Sequence, residues 1–250
     1  MFVITLLEEL SLNAWPSLQT VACDGWMARF ANGVTKRANS VTPLYAGQED
    51  LATKIRQCEH LYSAQNLPTI FKLTSAANPP DLDSRLAGRG YIVCNATSVQ
   101  MMDLPEKPIR AIGSPWVSSG LTEEWLTAYI ALDQQKAESR ETLKSILENI
   151  VVPHNFFTHV QDDIPVACGI GVCERDYIGL FGLVVHQDYR RQGLGKSLIQ
   201  NILTWGYAEG AKHAYLQVAL TNTSAAHLYA KLGFREVYQY WYRVKQSQDE

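Results

Sequence analysis

Between Leu183 and Leu198 the chain reads LVVHQDYRRQGLGKSL, and no other stretch restricts the fold as much. A hydrophobic run of strand character stops at a cationic turn with two glycines, and a run of helical period follows at once. A strand that feeds a helix through such a turn belongs to an α/β architecture, with the helix packed back on its sheet.

The letters Gly195-Lys196-Ser197 suggest a triphosphate loop, and counting tests the idea. That loop needs a glycine five residues before its Gly-Lys-Ser, so that backbone amides wrap the β-phosphate. Arg190 stands there. The dinucleotide fingerprint Gly-x-Gly-x-x-Gly needs a third glycine, and Leu198 holds that place. Both motifs fail. What is left is Arg190-x-x-Gly193-x-Gly195, a turn lacking Cβ atoms at two positions, so that its amides can approach an anion closely. The helix start adds unpaired N–H groups and the positive end of the dipole. Arg190, Arg191 and Lys196 raise the potential further. A pyrophosphate suits such a turn.

The elements around it read clearly. Upstream, Thr122 is placed to cap a helix carrying Trp125, Tyr129 and Leu132, and Ser139 to cap one carrying Leu143, Ile146, Leu147 and Ile150, ended by Pro153. Three strand-like runs follow (NFFTHV, PVACGIGVC and YIGLFGLVV), the last two joined at Glu174-Arg175-Asp176. Leu194, Leu198, Ile202 and Trp205 define a helix face, with Gly210 as terminator. AYLQVAL alternates as a strand, with Leu216, Val218 and Leu220 on one side. Asn222 or Thr223 then caps TSAAHLYAKLG, Gly233 stops that helix, and REVYQYWYRV closes as a core-packed strand.

The first 105 residues show a thinner version of this alternation. LEELSLNAW, QEDLATKIRQCEHLY and PDLDSRLAGRG read as helices; GWMARFA, PTIFKLT and YIVCNATSVQMM read as strands. SRLAGRGYIV echoes LYAKLGFREV, a helix end, a glycine, an aromatic and a strand, which supports an incomplete duplication. The expected division is a domain at 1–105, a linker at 106–120 containing EKPIRAIGSP, and a domain at 121–250.

Bulk properties exclude some functions. With 22 basic against 25 acidic residues and a net charge of −3, the chain lacks the excess of a generic nucleic-acid binder. Its five cysteines form no C-x-x-C pair, as expected of reduced thiols in a cytoplasmic protein. Glu8 and Glu9 interrupt the apolar N-terminal run, and no later run approaches the ~18 residues of a membrane span. Neither a membrane nor a nucleic acid is expected as a partner, and either a monomer or a homodimer fits.

Leu183 to Phe234 resembles the acetyl-CoA-binding core of the GNAT (Gcn5-related) N-acetyltransferases, whose signature is Q/R-x-x-G-x-G/A followed by an Asn and a Tyr-bearing helix. WMARFANGVTKRANSVTPL is similar to GNAT proteins that carry a second, degenerate half. The resemblance implies a mixed α/β GNAT-like sheet flanked by helices, preceded by a smaller degenerate GNAT-like half without cofactor. It further implies that the backbone of Leu183, Val184 and Val185 pairs with the pantetheine arm of acetyl-CoA. Main-chain amides of Arg190, Arg191, Gln192, Gly193, Leu194, Gly195 and Lys196 would cradle the pyrophosphate. Asn222 would bond the arm, and Tyr229 would protonate or stabilise the departing thiolate.

The base is less defined. Many relatives use a Glu on the strand before the phosphate loop, and Gly179 holds that position here. Glu174, His154, His159, His186 and a water chain stay open as alternatives. In the first half, Arg29, Lys36 and Arg37 either solvate a turn or line an acceptor pocket suited to a carboxylate. The leading expectation is transfer of acetyl from acetyl-CoA to a primary amine of a small molecule or amino acid by direct attack, with strand N–H groups such as those of Val184 or Val185 stabilising the oxyanion. The alternative is a non-catalytic acyl-CoA sensor or scaffold. No metal site is expected.

Overall fold

A computed structural model describes residues 2–106, 113–133 and 137–245. The middle of the expected linker, 107–112, lies outside the described residues. In chain order the elements are α1 (Phe2–Ala14), β1 (Gln19–Cys23), β2 (Trp26–Phe30), β3 (Val41–Thr42), α2 (Leu51–Ser63), β4 (Thr69–Thr74), α3 (Leu82–Gly88) and β5 (Ile92–Asp103). They continue with β6 (Trp116–Ser118), α4 (Glu123–Leu132), α5 (Arg140–Glu148), β7 (His154–Gln161), β8 (Ile164–Glu174), β9 (Tyr177–Val185), α6 (Leu194–Ala208), β10 (His213–Ala219), α7 (Thr223–Leu232) and β11 (Arg235–Lys245).

The chain divides into two compact units. The first holds the chain up to Ser98 together with 219–221 and the residues from Val237 onward; the second holds Val99–Val218 and Asn222–Glu236. The closing strand therefore counts mostly with the first unit, because Tyr240–Lys245 pair antiparallel with β4.

In the first unit the strands run β1-β2-β3-β4-β11. Period-2 alternation sends Phe71 and Leu73 to one face, where α2 and α3 contribute Ile55, Cys58, Tyr62, Leu82 and Leu86 to a core around Trp26. Lys72 lies between them in sequence and faces the other way. Its Nζ meets Glu8 of α1 at 2.6 Å, with both side chains almost wholly buried. Tyr238 donates its hydroxyl hydrogen to the same carboxylate at 2.7 Å, and the Lys72 ammonium lies 4.2 Å above the Tyr240 ring. Arg29 is equally committed: its guanidinium donates to the carbonyls of Leu12, Trp15 and Arg37. That corrects its candidacy as an acceptor-binding cation, since the side chain is buried and turned to main-chain carbonyls of its own unit.

In the second unit the order is β10-β9-β8-β7-β6. One face carries α6 and α7, with Leu198, Ile199, Ile202 and Tyr229 against Ile178, Leu180, Leu216 and Val218. The opposite face carries α4, whose Trp125 packs on Phe156 and donates its indole N–H to the Phe157 carbonyl. Thr122 caps α4 as its sequence position suggests, accepting from the Trp125 N–H at 3.1 Å. Ser139 precedes α5 but makes no capping hydrogen bond, because a turn of 3₁₀ helix already leads in. Leu220 falls beyond β10 and is 44% exposed. Trp116–Ser118, inside the expected linker, forms β6 and pairs with β7.

The echo between the halves is geometric. Gly90 and Gly233 both take positive φ. The aromatic that follows each is buried and donates its N–H five residues back, Tyr91 to Leu86 and Phe234 to Tyr229. Both helices thus end in the same glycine-closed motif.

A buried carboxylate stripped of its cation is costly, so Lys72→Ala is expected to lower stability by about 3–5 kcal/mol. The double variant Glu8→Leu/Lys72→Met should recover most of that loss in chemical denaturation; equal loss in both would place the stabilisation elsewhere.

Candidate active site

The site grows out of one break in pairing. β9 and β10 run parallel only from Tyr177–Leu180 against His213–Leu216. Beyond that rung both strands continue without each other, β9 to Val185 and β10 to Ala219. A bulge marks the place: Phe181 pairs with Ile170 and Val184 with Cys168, so Gly182 and Leu183 both stand opposite Gly169. Gly182 takes φ +57, a conformation disfavoured for residues with a Cβ. The Tyr129 ring of α4 covers it, within 3.2 Å of where a Cβ would project.

The register decides which backbone groups face the split. The His186 N–H donates to the Val166 carbonyl of β8. Antiparallel pairing alternates, so Val184 also spends its groups on β8, opposite Cys168, while Val185 turns its N–H and C=O the other way. Arg190 Nε reaches back and donates to that Val185 carbonyl at 3.1 Å. Of the three strand residues singled out in the sequence, Val184 is therefore the one whose N–H is turned to β8 and away from the split, while Val185 keeps its N–H on the open side.

The bend itself is open. Arg191 has φ +64 and Gly193 φ +86, two left-handed residues that turn the chain into α6. A Cβ on Gly193 would meet nothing within 4 Å, whereas one on Gly195 would come within 3.3 Å of Leu228 in α7. One glycine serves the turn and the other close packing. Among the described residues, the N–H groups of Gln192 to Lys196 have no acceptor, and Lys196 is exposed. Ser197 is the first to bond within the helix, to the Gly193 carbonyl. Gln192 donates its side-chain amide to the Asp188 carbonyl. The entry to α2 in the first unit differs: there the Asp24 carboxylate accepts from the N–H groups of Gln48 and Glu49. Those two hydrogen bonds hold its pKa below the usual carboxylate range.

Asn222 caps α7, its Oδ1 accepting from the Ala225 N–H at 3.1 Å. Tyr229 lies on the same helix, 7% exposed and edge-on to Phe234. Burial pushes its phenol up to about 12.

A family model described as probable histone acetyltransferase Rv0428c C-terminal matches residues 3–243. The chain is a GNAT-family N-acetyltransferase. Over 253 residues it is 27% identical to an uncharacterized N-acetyltransferase, YobR, of Bacillus subtilis, covering 97% of this chain and 98% of that one. A shorter stretch of 61 residues, 24% of this chain and 41% of the relative, is 38% identical to the [ribosomal protein bS18]-alanine N-acetyltransferase of Escherichia coli. Among solved structures, a GCN5-related N-acetyltransferase from Kribbella flavida aligns with TM-score 0.69 at 14% identity, covering 97% of this chain and 95% of that chain. A tandem GNAT protein from the clavulanic acid biosynthesis pathway aligns with TM-score 0.61 at 12% identity, over 98% and 89%. The tandem neighbour fits the two-half architecture.

In this acetyltransferase the open candidates for the base scatter. Glu174 pairs with Tyr177 at the end of the β8–β9 hairpin away from the split. His154 Nδ1 lies 2.8 Å from the Val152 carbonyl. His159 is buried against Ser197 Oγ at 3.2 Å, with its pKa lowered by desolvation. His186 accepts from the Asp188 N–H, at the end of β9. At Gly179 a carboxylate has no room, because a Cβ there would lie 2.6–2.7 Å from the rings of Phe181 and Tyr215. Tyr215 is the register partner of Gly179, and sequence counting had no means of placing its ring there.

Gly179→Ala is accordingly expected to destabilise the enzyme by about 1–3 kcal/mol through overpacking. A denaturation midpoint equal to the parent's would mean that Tyr215 moves aside freely.

Proposed function

We propose that the enzyme binds acetyl-CoA along the β9–β10 split and the Arg190–Lys196 bend and passes its acetyl group to a primary amine of a small molecule. The observation that carries this reading is the run of unclaimed amides from Gln192 to Lys196 at the start of α6, in a bend where Gly193 leaves open space. A helix start with free N–H groups and flanking cations suits a diphosphate.

Each group then has a task. The amides of Gln192 to Lys196 hold the diphosphate, with Arg191 and Lys196 adding charge. The outward N–H of Val185 and the amide hydrogens of Asn222 donate to carbonyls of the pantetheine arm. Bound acetyl-CoA supplies the acyl carbon and a thiol leaving group. As the C–N bond forms and the C–S bond breaks, charge develops on sulfur, and the Tyr229 hydroxyl donates a hydrogen bond to it. The amine loses its proton to water or to a nearby base before or during attack.

Calorimetry with acetyl-CoA and release of free CoA thiol over a panel of amines test the reading together. Gly193→Val is expected to weaken acetyl-CoA binding at least about tenfold, since left-handed strain of ~1–2 kcal/mol adds to a branched Cβ in the anion's space. Unchanged affinity would refute the assignment of the bend.

Tyr229→Phe should lower kcat by about 10–100-fold, the value of a hydrogen bond to a charged group, with acetyl-CoA affinity nearly intact. Equal loss of both would make Tyr229 a packing residue alone.

A further inference from the structure

A groove of about 670 Å³ runs along the outer side of α4 and ends on the tips of β8 and β9. Its floor is apolar, from Ala128 and Ala131 on α4 to Ile164 and Pro165 on β8. Ile164 keeps half its surface in solvent, so apolar area stands uncovered there. His186, the residue after Val185, closes one end. The groove shares α4 with the bulge, since Tyr129 beside Ala128 is the ring that covers Gly182.

Among the described residues, Glu123 and Glu124 line this groove and no lysine or arginine does. Glu123 is taken by Arg140 and Lys144, each at 2.6 Å. No lysine or arginine among the described residues pairs with Glu124. One uncompensated carboxylate, that of Glu124, at the edge of an apolar floor complements an ammonium on a hydrocarbon body and opposes a carboxylate.

We infer that this groove seats the acceptor, and that the acceptor is an alkyl or arylalkyl amine without a carboxylate, its ammonium drawn in by Glu124 and its body laid on Ala128, Ala131, Ile164 and Pro165. The inference rests on the acetyl-transfer reading above and narrows its acceptor. It turns away from the carboxylate-bearing acceptor that the first-half cations suggested, and Arg29, the most deeply buried of them, is turned to main-chain carbonyls of its own unit.

Matched pairs test it: phenethylamine against phenylalanine and isoamylamine against leucine, with CoA release followed at fixed acetyl-CoA. Each amine is expected to exceed its amino acid in kcat/KM by at least about tenfold, the scale of one like-charge juxtaposition. Glu124→Lys should erase or invert that ratio. Ala131→Trp, on an exposed helix position, should raise KM for the amines about tenfold while the affinity for acetyl-CoA, titrated directly, stays put. Equal use of amines and amino acids, a ratio indifferent to Glu124→Lys, or preference for a peptide N-terminus would overturn the inference and leave acetyl transfer standing. Absence of acetyl-CoA binding in the same titration would remove both readings.

Discussion

Backbone polar groups in a protein interior must find partners, and the second unit is organised around a place where two neighbouring strands stop supplying them. Past Leu180 and Leu216, β9 and β10 no longer pair. On its β8 side β9 resumes pairing after the bulge through the Val184 and His186 rungs. On the open side the Arg190 guanidinium donates to the Val185 carbonyl. Each backbone group left without a partner costs about 1–3 kcal/mol when water is excluded. A ligand that lies in the split as an extended amide chain removes that cost. The bulge at Gly182 keeps the split from zipping shut, because it re-aims the end of β9.

The first unit shows what closure of such a site looks like. Its helix–glycine–aromatic junction at Leu86–Tyr91 repeats the one at Tyr229–Phe234, down to the hydrogen bond five residues back. Its helix entry does not repeat. Asp24 accepts from the N–H groups of Gln48 and Glu49 just ahead of α2, whereas the N–H groups of Gln192 to Lys196 have no acceptor among the described residues. The Glu8–Lys72 pair, with Tyr238, fills the α1 side of its sheet with a satisfied polar cluster. The start of α2 itself is capped by Asp50, which accepts from the Thr53 N–H.

What the sequence made legible was whatever depends on neighbours along the chain. Most helix stripes, the Thr122 and Asn222 caps, the glycine stops and the Gly193 turn follow from local spacing, whereas the stripe expected to run to Ile150 stops short, because α5 ends at Glu148 ahead of Pro153. Strands of two or three residues, such as Val41–Thr42 and Trp116–Ser118, carry no period and escape. Facts that live on two strands at once escape as well. The bulge needs the β8 register to be seen, Val184 is occupied only by virtue of Cys168, and Gly179 is barred to a carboxylate by a ring thirty-six residues away on Tyr215. Single-chain spacing gives the position of the missing Glu but not the reason for its absence.

Magnitudes narrow the part Tyr229 can play. Its phenol titrates at about 12 because it is buried, whereas an alkyl thiol loses its proton near 8.5. Burial that raises a phenol raises a thiol as well: the Cys168 and Cys173 thiols of the same unit are each pushed up to about 12. Burial thus makes Tyr229 a weaker acid than a free phenol. The same burial keeps it protonated across the whole physiological range, so deprotonation of this phenol supplies no alkaline limb below about pH 11, and an ionisation seen at neutral pH belongs to the amine or to another group beside it.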